Sequence, residues 1–281
     1  DRAHLSTYTC HGIEEYHTEK GPADYLLVVD GQPLGVVEAK KLSLGPQGVL
    51  LQAERYSEGL LESPFDFRGF RVPFLFSTNG EVIWFHDVRH ELELSRQIAN
   101  FFTPGALAEL IQADFDAAFD RLQGLPNNHP RLRPYQIEAN AAVEGEIFKR
   151  KRQMLVAMAT GTGKTFTTVN QVYRLMKSGA AKRILFLVDR RALAAQAVRA
   201  FSAFEPEPGL KFDHIYEVYS QRFQKEDFGE EEKFDPKVLP KSYLEKPTAG
   251  LAFVYVCTIQ RMTINLFGRD AVFQTSSDEE I

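Results

Sequence analysis

In the stretch GVVEAKK, residues 35–41, an acid and a base two positions apart, Glu38 and Lys40, interrupt what otherwise reads as a buried strand. Side chains two apart on a strand leave from the same face, so the carboxylate and the ammonium project together. Asp24 heads the preceding apolar run, YLLVVD, and a hairpin turning at Asp30-Gly31 carries it back toward Glu38. Two carboxylates within reach of each other present the hard oxygens that Mg²⁺ or Mn²⁺ prefers, with positions left for water and phosphate. A lysine beside them can position the water or offset charge developing on a phosphate, which is the chemistry of phosphodiester hydrolysis. The competing reading is a strand that carries an ordinary surface ion pair.

A second chemistry is written at MATGTGKT, residues 158–165, where a short apolar run gives way to a helical one. Thr160, Gly161, Thr162 and Gly163 form a turn whose glycines let backbone N–H groups approach phosphate oxygens. Lys164 reaches the β and γ phosphates, and Thr165 can ligate Mg²⁺. Met158 stands where the strict pattern begins with Gly, but Gly-Lys-Thr between strand and helix supplies the right context. Upstream, in LRPYQIEA, Gln136 taken alone reads as an exposed helical amide. ATP with Mg²⁺ is therefore the cofactor expected of this half.

To hold the first set, the chain must build strands and a covering helix. Tyr25–Lys40 reads as one hairpin, and FLFST with EVIWF around Asn79-Gly80 as another. Gln47–Leu61 and Gly105–Leu122 read as helices from their apolar spacing, and Gln52 and Tyr56 share one face of the first. These give a mixed α/β unit over residues 1–122, with the Pro- and Asn-rich residues 123–134 as a linker. From 135 to 281 the pattern changes. A helix from Arg133 to Arg152 leads to a strand at QMLVAM, a helix from Lys164 and a strand at RILFLVD. A helix from Arg190 to Phe204 follows, then strands near HIYEVY and AFVYVCT. That alternation predicts a parallel sheet with helices on both faces. The charged, Pro-bearing Gln224–Lys246 reads as an exposed loop.

Bulk properties fit two globular domains: 281 residues, 44% apolar and 25% charged. With a net charge of −5, any nucleic-acid contact must come from local basic patches. Lys149–Arg152 is one such run, and it reads equally well as a solvated helix end. Cys10 and Cys257 stand far apart in no ligand-like spacing, which argues against a disulfide framework or a zinc site and suits a reducing cytoplasm. No apolar run approaches the ~18 residues of a membrane span. His4, His11 and His17 fit no ligand motif and read as surface residues. Glu14 and Glu15 read as solvated carboxylates, with a metal-side role from an N-terminal helix as the alternative. A start without Met and an end at SSDEEI suggest a piece of something longer.

Several motifs carry a family resemblance. ATGTGKT resembles motif I of superfamily 2 helicases and translocases, and LRPYQIEA is similar to their adenine-reading Q motif, which implies that Gln136 pairs with the adenine edge through its donor and acceptor, with Tyr135 packed near it. LFLVDRRALAAQ, residues 185–196, resembles motif Ia, and VYVCTIQRM, residues 254–262, motif Ib. Those segments touch the nucleic-acid backbone in that family, so the resemblance implies DNA contacts for Arg190, Arg191, Thr258 and Gln260. The acidic motif is not matched, because Asp278, Glu279 and Glu280 follow no apolar strand. Without that motif or a second motor lobe, the chain is expected to bind nucleotide poorly and hydrolyse it hardly at all.

Asp24 with Glu38-Ala39-Lys40 resembles the PD-(D/E)xK nucleases, although Ala23 separates Pro22 from Asp24, and Gln52 with Tyr56 matches the QxxxY element of one branch. Nuclease, linker and superfamily 2 motor in that order, with the text GPADYLLVVDGQPLGVVEAKK, resemble the R subunit of type I restriction-modification enzymes from about Gly21 to Met262. Type III subunits carry the nuclease after the motor. The resemblance implies a PD-(D/E)xK-like mixed-sheet domain followed by a partial RecA-like lobe. It also implies ATP-driven translocation on double-stranded DNA and Mg²⁺-dependent cleavage in a prokaryotic cytoplasm. Its partners would be the modification and specificity subunits, with S-adenosylmethionine entering only through the former. Two rival readings stay open: a repair or defence helicase-nuclease outside restriction, and a DNA-binding scaffold with an inactive nuclease centre.

Overall fold

The computed structural model describes residues 4–40, 46–223, 236–245 and 250–268. The chain divides into two compact units, 1–114 and 115–281. The first is built on a six-stranded sheet of β1 (Cys10–Thr18), β2 (Gly21–Val29), β3 (Gln32–Ala39), β4 (Phe74–Thr78), β5 (Ile83–Asp87) and β6 (Arg96–Ile98), in that order. Tight turns make its neighbours antiparallel except β3 and β4, which run parallel and are joined through helix α1 (Pro46–Glu58).

The period of two then sorts the core. Leu26, Val28, Val36 and Leu75 meet Leu50 and Ala53 of α1 on one face. Leu34, Val37, Phe74, Phe76 and Phe85 meet Leu107 of α2 (Pro104–Gln112) on the other. Burying one phenylalanine side chain stabilises by ~1.5–3 kcal/mol, so the three rings give the α2 face a firm anchor.

The β2–β3 hairpin is not a plain ladder. Leu27 pairs with Gly35 but Val28 pairs with Pro33, which leaves Leu34 as an extra residue on β3. Past this bulge Leu26 pairs with Val36 and Tyr25 with Val37, so Asp24 stands across from Glu38.

The second unit holds α3 (Phe115–Gly124), α4 (Pro134–Phe148), α5 (Lys164–Ser178), β7 (Arg183–Val188), α6 (Arg191–Ala203), α7 (Phe212–Ile215), β8 (Glu217–Ser220), β9 (Lys237–Val238), α8 (Lys241–Glu245), β10 (Phe253–Thr258) and α9 (Ile259–Phe267). Its sheet has the order β7-β10-β8-β9, all parallel. Val169 and Val172 of α5 and Val198 and Phe201 of α6 cover one face through Val254 and Val256. Phe253, Tyr255 and Cys257 point to the other.

Several expectations are corrected here. The helix expected over Gly105–Leu122 is two helices, because Ala113 turns to extended backbone and ends α2. α3 then joins the second unit: Arg121 Nε donates to the Ser178 carbonyl, and Arg174 donates to the carbonyls of Leu122 and Leu125. The boundary therefore falls at 114/115, and α3 runs through Gly124 into the expected linker. QMLVAM is not a strand among the described residues, and its Leu155 is 94% exposed. A strand exists by pairing, and β7 at the edge of the described sheet does not pair with it.

Part of the basic run has partners within its own unit. Lys149 pairs with Glu146, while Arg150 lies over the rings of Phe115 and Phe119 and bonds Asp116. Glu14 and Glu15 lie on β1 rather than on a helix. Within Gln224–Lys246 the structure describes residues 236–245, which form β9 and α8; the remainder, like Asp278–Glu280, lies outside the described residues.

Candidate functional site

The strands β2 and β3 and the helix α1 bring the first chemical set together. Asp24 Oδ2 accepts a hydrogen bond from the Ala39 N–H at 2.6 Å, clamping the acid to the neighbouring strand. Lys40 Nζ donates to Glu38 Oε1 at 2.5 Å. The Tyr56 ring packs against Gly21 at the same end of the sheet. Gln52 sits one turn earlier on α1, half-buried.

Glu38 is 1% exposed, yet its Oε2 has no hydrogen-bond partner. A buried polar atom left unsatisfied costs ~1–3 kcal/mol, and more when charged. Burial pushes the Glu38 carboxyl above its ordinary range, the Lys40 hydrogen bond opposes that shift, and the Asp24 charge adds to it. The Lys40 ammonium is held above its ordinary range chiefly by its hydrogen bond to Glu38.

The residues present fit a small hard cation. Glu38 Oε2 is an unused carboxylate oxygen beside Asp24, and Mg²⁺ binds through one or two carboxylates while keeping waters and phosphate oxygens. Among the described residues no three His, Cys, Asp or Glu side chains gather into an ion-binding group. Mg²⁺ does not need such a cage.

In the second unit, Gly161 and Gly163 both adopt φ +80°, the left-handed conformation that lets the loop turn its N–H groups outward. Lys164 Nζ rests on the Met158 carbonyl at 3.2 Å. Thr160, Gly161, Gly163, Lys164 and Thr165 line a cavity of about 670 Å³ together with Arg131, Gln196 and the apolar Phe166, Leu193, Ala200, Ala203 and Phe204.

Gln136 departs from expectation. It is 3% exposed, and both ends of its amide are engaged: Oε1 accepts from Arg133 N–H and Nε2 donates to the Thr162 carbonyl, each at 2.9 Å. Tyr135 Oη donates to the same carbonyl. In this arrangement the amide braces the loop. Gln136→Ala in the full-length subunit is therefore expected to weaken ATP and GTP by the same roughly tenfold, since two hydrogen bonds of ~0.5–1.5 kcal/mol hold the loop rather than the base. Fluorescent-nucleotide titration checks this, and a loss confined to ATP would restore the base-reading role.

The turns after β7 and β10 emerge at the same end of their parallel pair, where open α/β sheets bind ligands. Arg190, its side chain 81% exposed, and Arg191 lie at the first, and an exposed Gln260 at the second. Thr258 does not join them. Its hydroxyl accepts from Arg261 N–H to cap α9 and donates to Gln221 Oε1. Gln221 also accepts from the Thr258 N–H, a joint between β8 and β10 that the sequence does not signal.

Comparison with known proteins agrees with this division. Residues 7–111 match the family described as "Type I restriction enzyme EcoKI endonuclease subunit second domain". Residues 129–280, more than half of the chain, match ResIII, "Type III restriction enzyme, res subunit". The chain belongs to the ResIII restriction subunits, in their HsdR form. This HsdR-type chain is 35% identical over 238 residues to the EcoKI endonuclease subunit of Escherichia coli K12, covering 71% of this chain and 20% of that protein. It is 30% identical over 214 residues to the Escherichia coli EcoAI endonuclease subunit, covering 69% and 25%. It thus spans a fifth to a quarter of the length of these relatives. A solved HsdR fragment from Vibrio vulnificus YJ016 aligns with a TM-score of 0.30 at 22% identity, over 87% of this chain and 39% of that one. No helix among the described residues of the HsdR-type chain is long and apolar enough to cross a membrane.

Proposed function

We propose that the chain supplies the nuclease centre and the nucleotide-binding lobe of a type I restriction endonuclease, cutting double-stranded DNA while an ATP-driven motor moves it. The observation that carries the cutting half is the buried, partnerless Oε2 of Glu38 between Asp24 and Lys40. In the PD-(D/E)xK reading, Asp24 and Glu38 hold Mg²⁺, with Gln52 and Tyr56 in support from α1. The ion, when bound, supplies Lewis acidity at the scissile phosphate and lowers the pKa of the attacking water. Glu38 holds the Lys40 ammonium in place by its other oxygen, so Lys40 directs positive charge toward the phosphate oxygens.

In the nucleotide half, the 160–165 loop takes the triphosphate of ATP, with Thr165 placed to ligate its Mg²⁺. Arg190, Arg191 and Gln260 serve the DNA backbone at the strand ends. Recognition and methylation fall to the specificity and modification subunits, the latter using S-adenosylmethionine.

The ion assignment is tested by melting the chain with and without Mg²⁺. At an ion concentration ten times the dissociation constant, binding to the folded state stabilises by ~1.4 kcal/mol. Wild type should gain that increment and Glu38→Gln should gain none. Equal gains in both would leave the scaffold with an inactive centre as the better reading.

A further inference from the structure

The pairing of the first sheet places one transverse row of residues on the α1 face. Glu38 pairs with Ser77, Ser77 with Trp84 and Trp84 with Gln97, and Asp24 stands on the other side of Glu38. Directly paired residues point to the same face. The face is fixed independently: Leu75, two before Ser77, packs with the α1 cluster, and His86, two after Trp84, stands 3.8 Å from Glu54 of α1. Phe85 between them packs with the α2 cluster.

Along this row the side chains change character. Ser77, beside Glu38, is small and fully buried. Trp84, the chain's single tryptophan, is half-buried, and among the described residues it joins neither apolar cluster of the sheet. Gln97 is exposed at the edge. Strands lie ~4.8 Å apart, so Trp84 stands about 10 Å from Glu38 along the row. That is roughly three steps of the 3.4 Å rise of a DNA strand.

We infer that Trp84 and Gln97 continue the cleavage centre as a track for the strand being cut, the indole packing on a nucleotide two or three steps from the scissile phosphate and the Gln97 amide donating to a backbone oxygen. This inference rests on the nuclease reading above.

The test uses the full-length subunit with its modification and specificity partners on unmethylated plasmid, with circular dichroism and thermal melting reporting that each variant is folded. Trp84→Ala should slow cutting about tenfold, and Trp84→Phe should recover to within about threefold of wild type. In parallel, wild-type complex held in Ca²⁺ is irradiated on duplexes carrying 5-iododeoxyuridine, and the crosslinked peptide is mapped. Crosslinks at Trp84 are expected. If Lys40→Ala cuts normally, the nuclease reading fails and takes this inference with it. If Lys40→Ala is inactive while Trp84→Ala cuts at the wild-type rate, or the crosslinks map away from β5 and β6, the track alone is overturned. Should Trp84→Ala not fold, Trp84→Phe and the wild-type crosslinks decide.

Discussion

Lys40→Ala, in the full-length subunit assembled with its modification and specificity partners, is expected to lose DNA cutting by a factor of ~10²–10³ while DNA-stimulated ATP hydrolysis continues. The factor is that for removing one fixed donor from charge developing in a transition state. Lys40 is suited to that task because Glu38, itself 1% exposed, holds the ammonium at 2.5 Å, so little reorganisation is needed when a phosphate arrives. The substitution also strips Glu38 of the hydrogen bond that offsets its burial, leaving its carboxylate harder to keep ionised beside Asp24. Both consequences act on cleavage, and neither touches the loop at 160–165. Plasmid linearisation timed against phosphate release separates the two activities. Cutting at the wild-type rate would reduce GVVEAKK to a strand with an ion pair.

Lys164→Ala is expected to lose both activities. Lys164 sits at the first turn of α5, behind two glycines at φ +80°, and lines the cavity into which the triphosphate would extend. Its ammonium gives up only a 3.2 Å contact with the Met158 carbonyl to reach a phosphate. A hydrogen bond to a charged group contributes ~1.5–3 kcal/mol to binding, so ATP affinity should fall about ten- to a hundredfold. Hydrolysis should fall further, because the lysine also offsets charge that develops as the phosphoryl group is transferred. Since cutting accompanies ATP-driven movement of the DNA in this reading, plasmid cleavage should vanish with it. Retained cleavage in Lys164→Ala would show that the two units work independently.

What could be read from the sequence follows from how local each signal is. Asp30-Gly31 and Asn79-Gly80 announce hairpins because a turn needs particular residues at particular positions, and both hairpins form. α1 and α5 were legible from their apolar spacing and from the loop before α5. The break between α2 and α3 was not, since Ala113-Asp114 carries neither Gly nor Pro. QMLVAM has a strand's composition, but strand formation depends on a neighbour that no single segment specifies. At Gln136 the sequence displays a donor and an acceptor and cannot say that Arg133 and Thr162 already occupy them. Thr258 is a similar case, its hydroxyl taken by the start of α9. The proximity of Asp24 and Glu38 was foreseeable as one register among several. The burial that leaves Glu38 Oε2 partnerless comes from packing and was not foreseeable.

The extra residue in β3 has a bearing on how such a centre is inherited. Counted outward from Asp30-Gly31, an unbroken ladder continuing Val29 with Gln32 and Val28 with Pro33 would set Asp24 opposite Val37. Glu38 and Lys40 would then be turned away from Asp24, into the layer that Phe74, Phe76 and Phe85 fill. Leu34 shifts the parity, so the hairpin behaves like a reading frame. Deleting one residue between Gln32 and Gly35 would spell every letter of the motif unchanged and still scatter it across two faces. Lineages that keep the acids and the lysine but alter this spacing would have lost the blade without a single change to its edge.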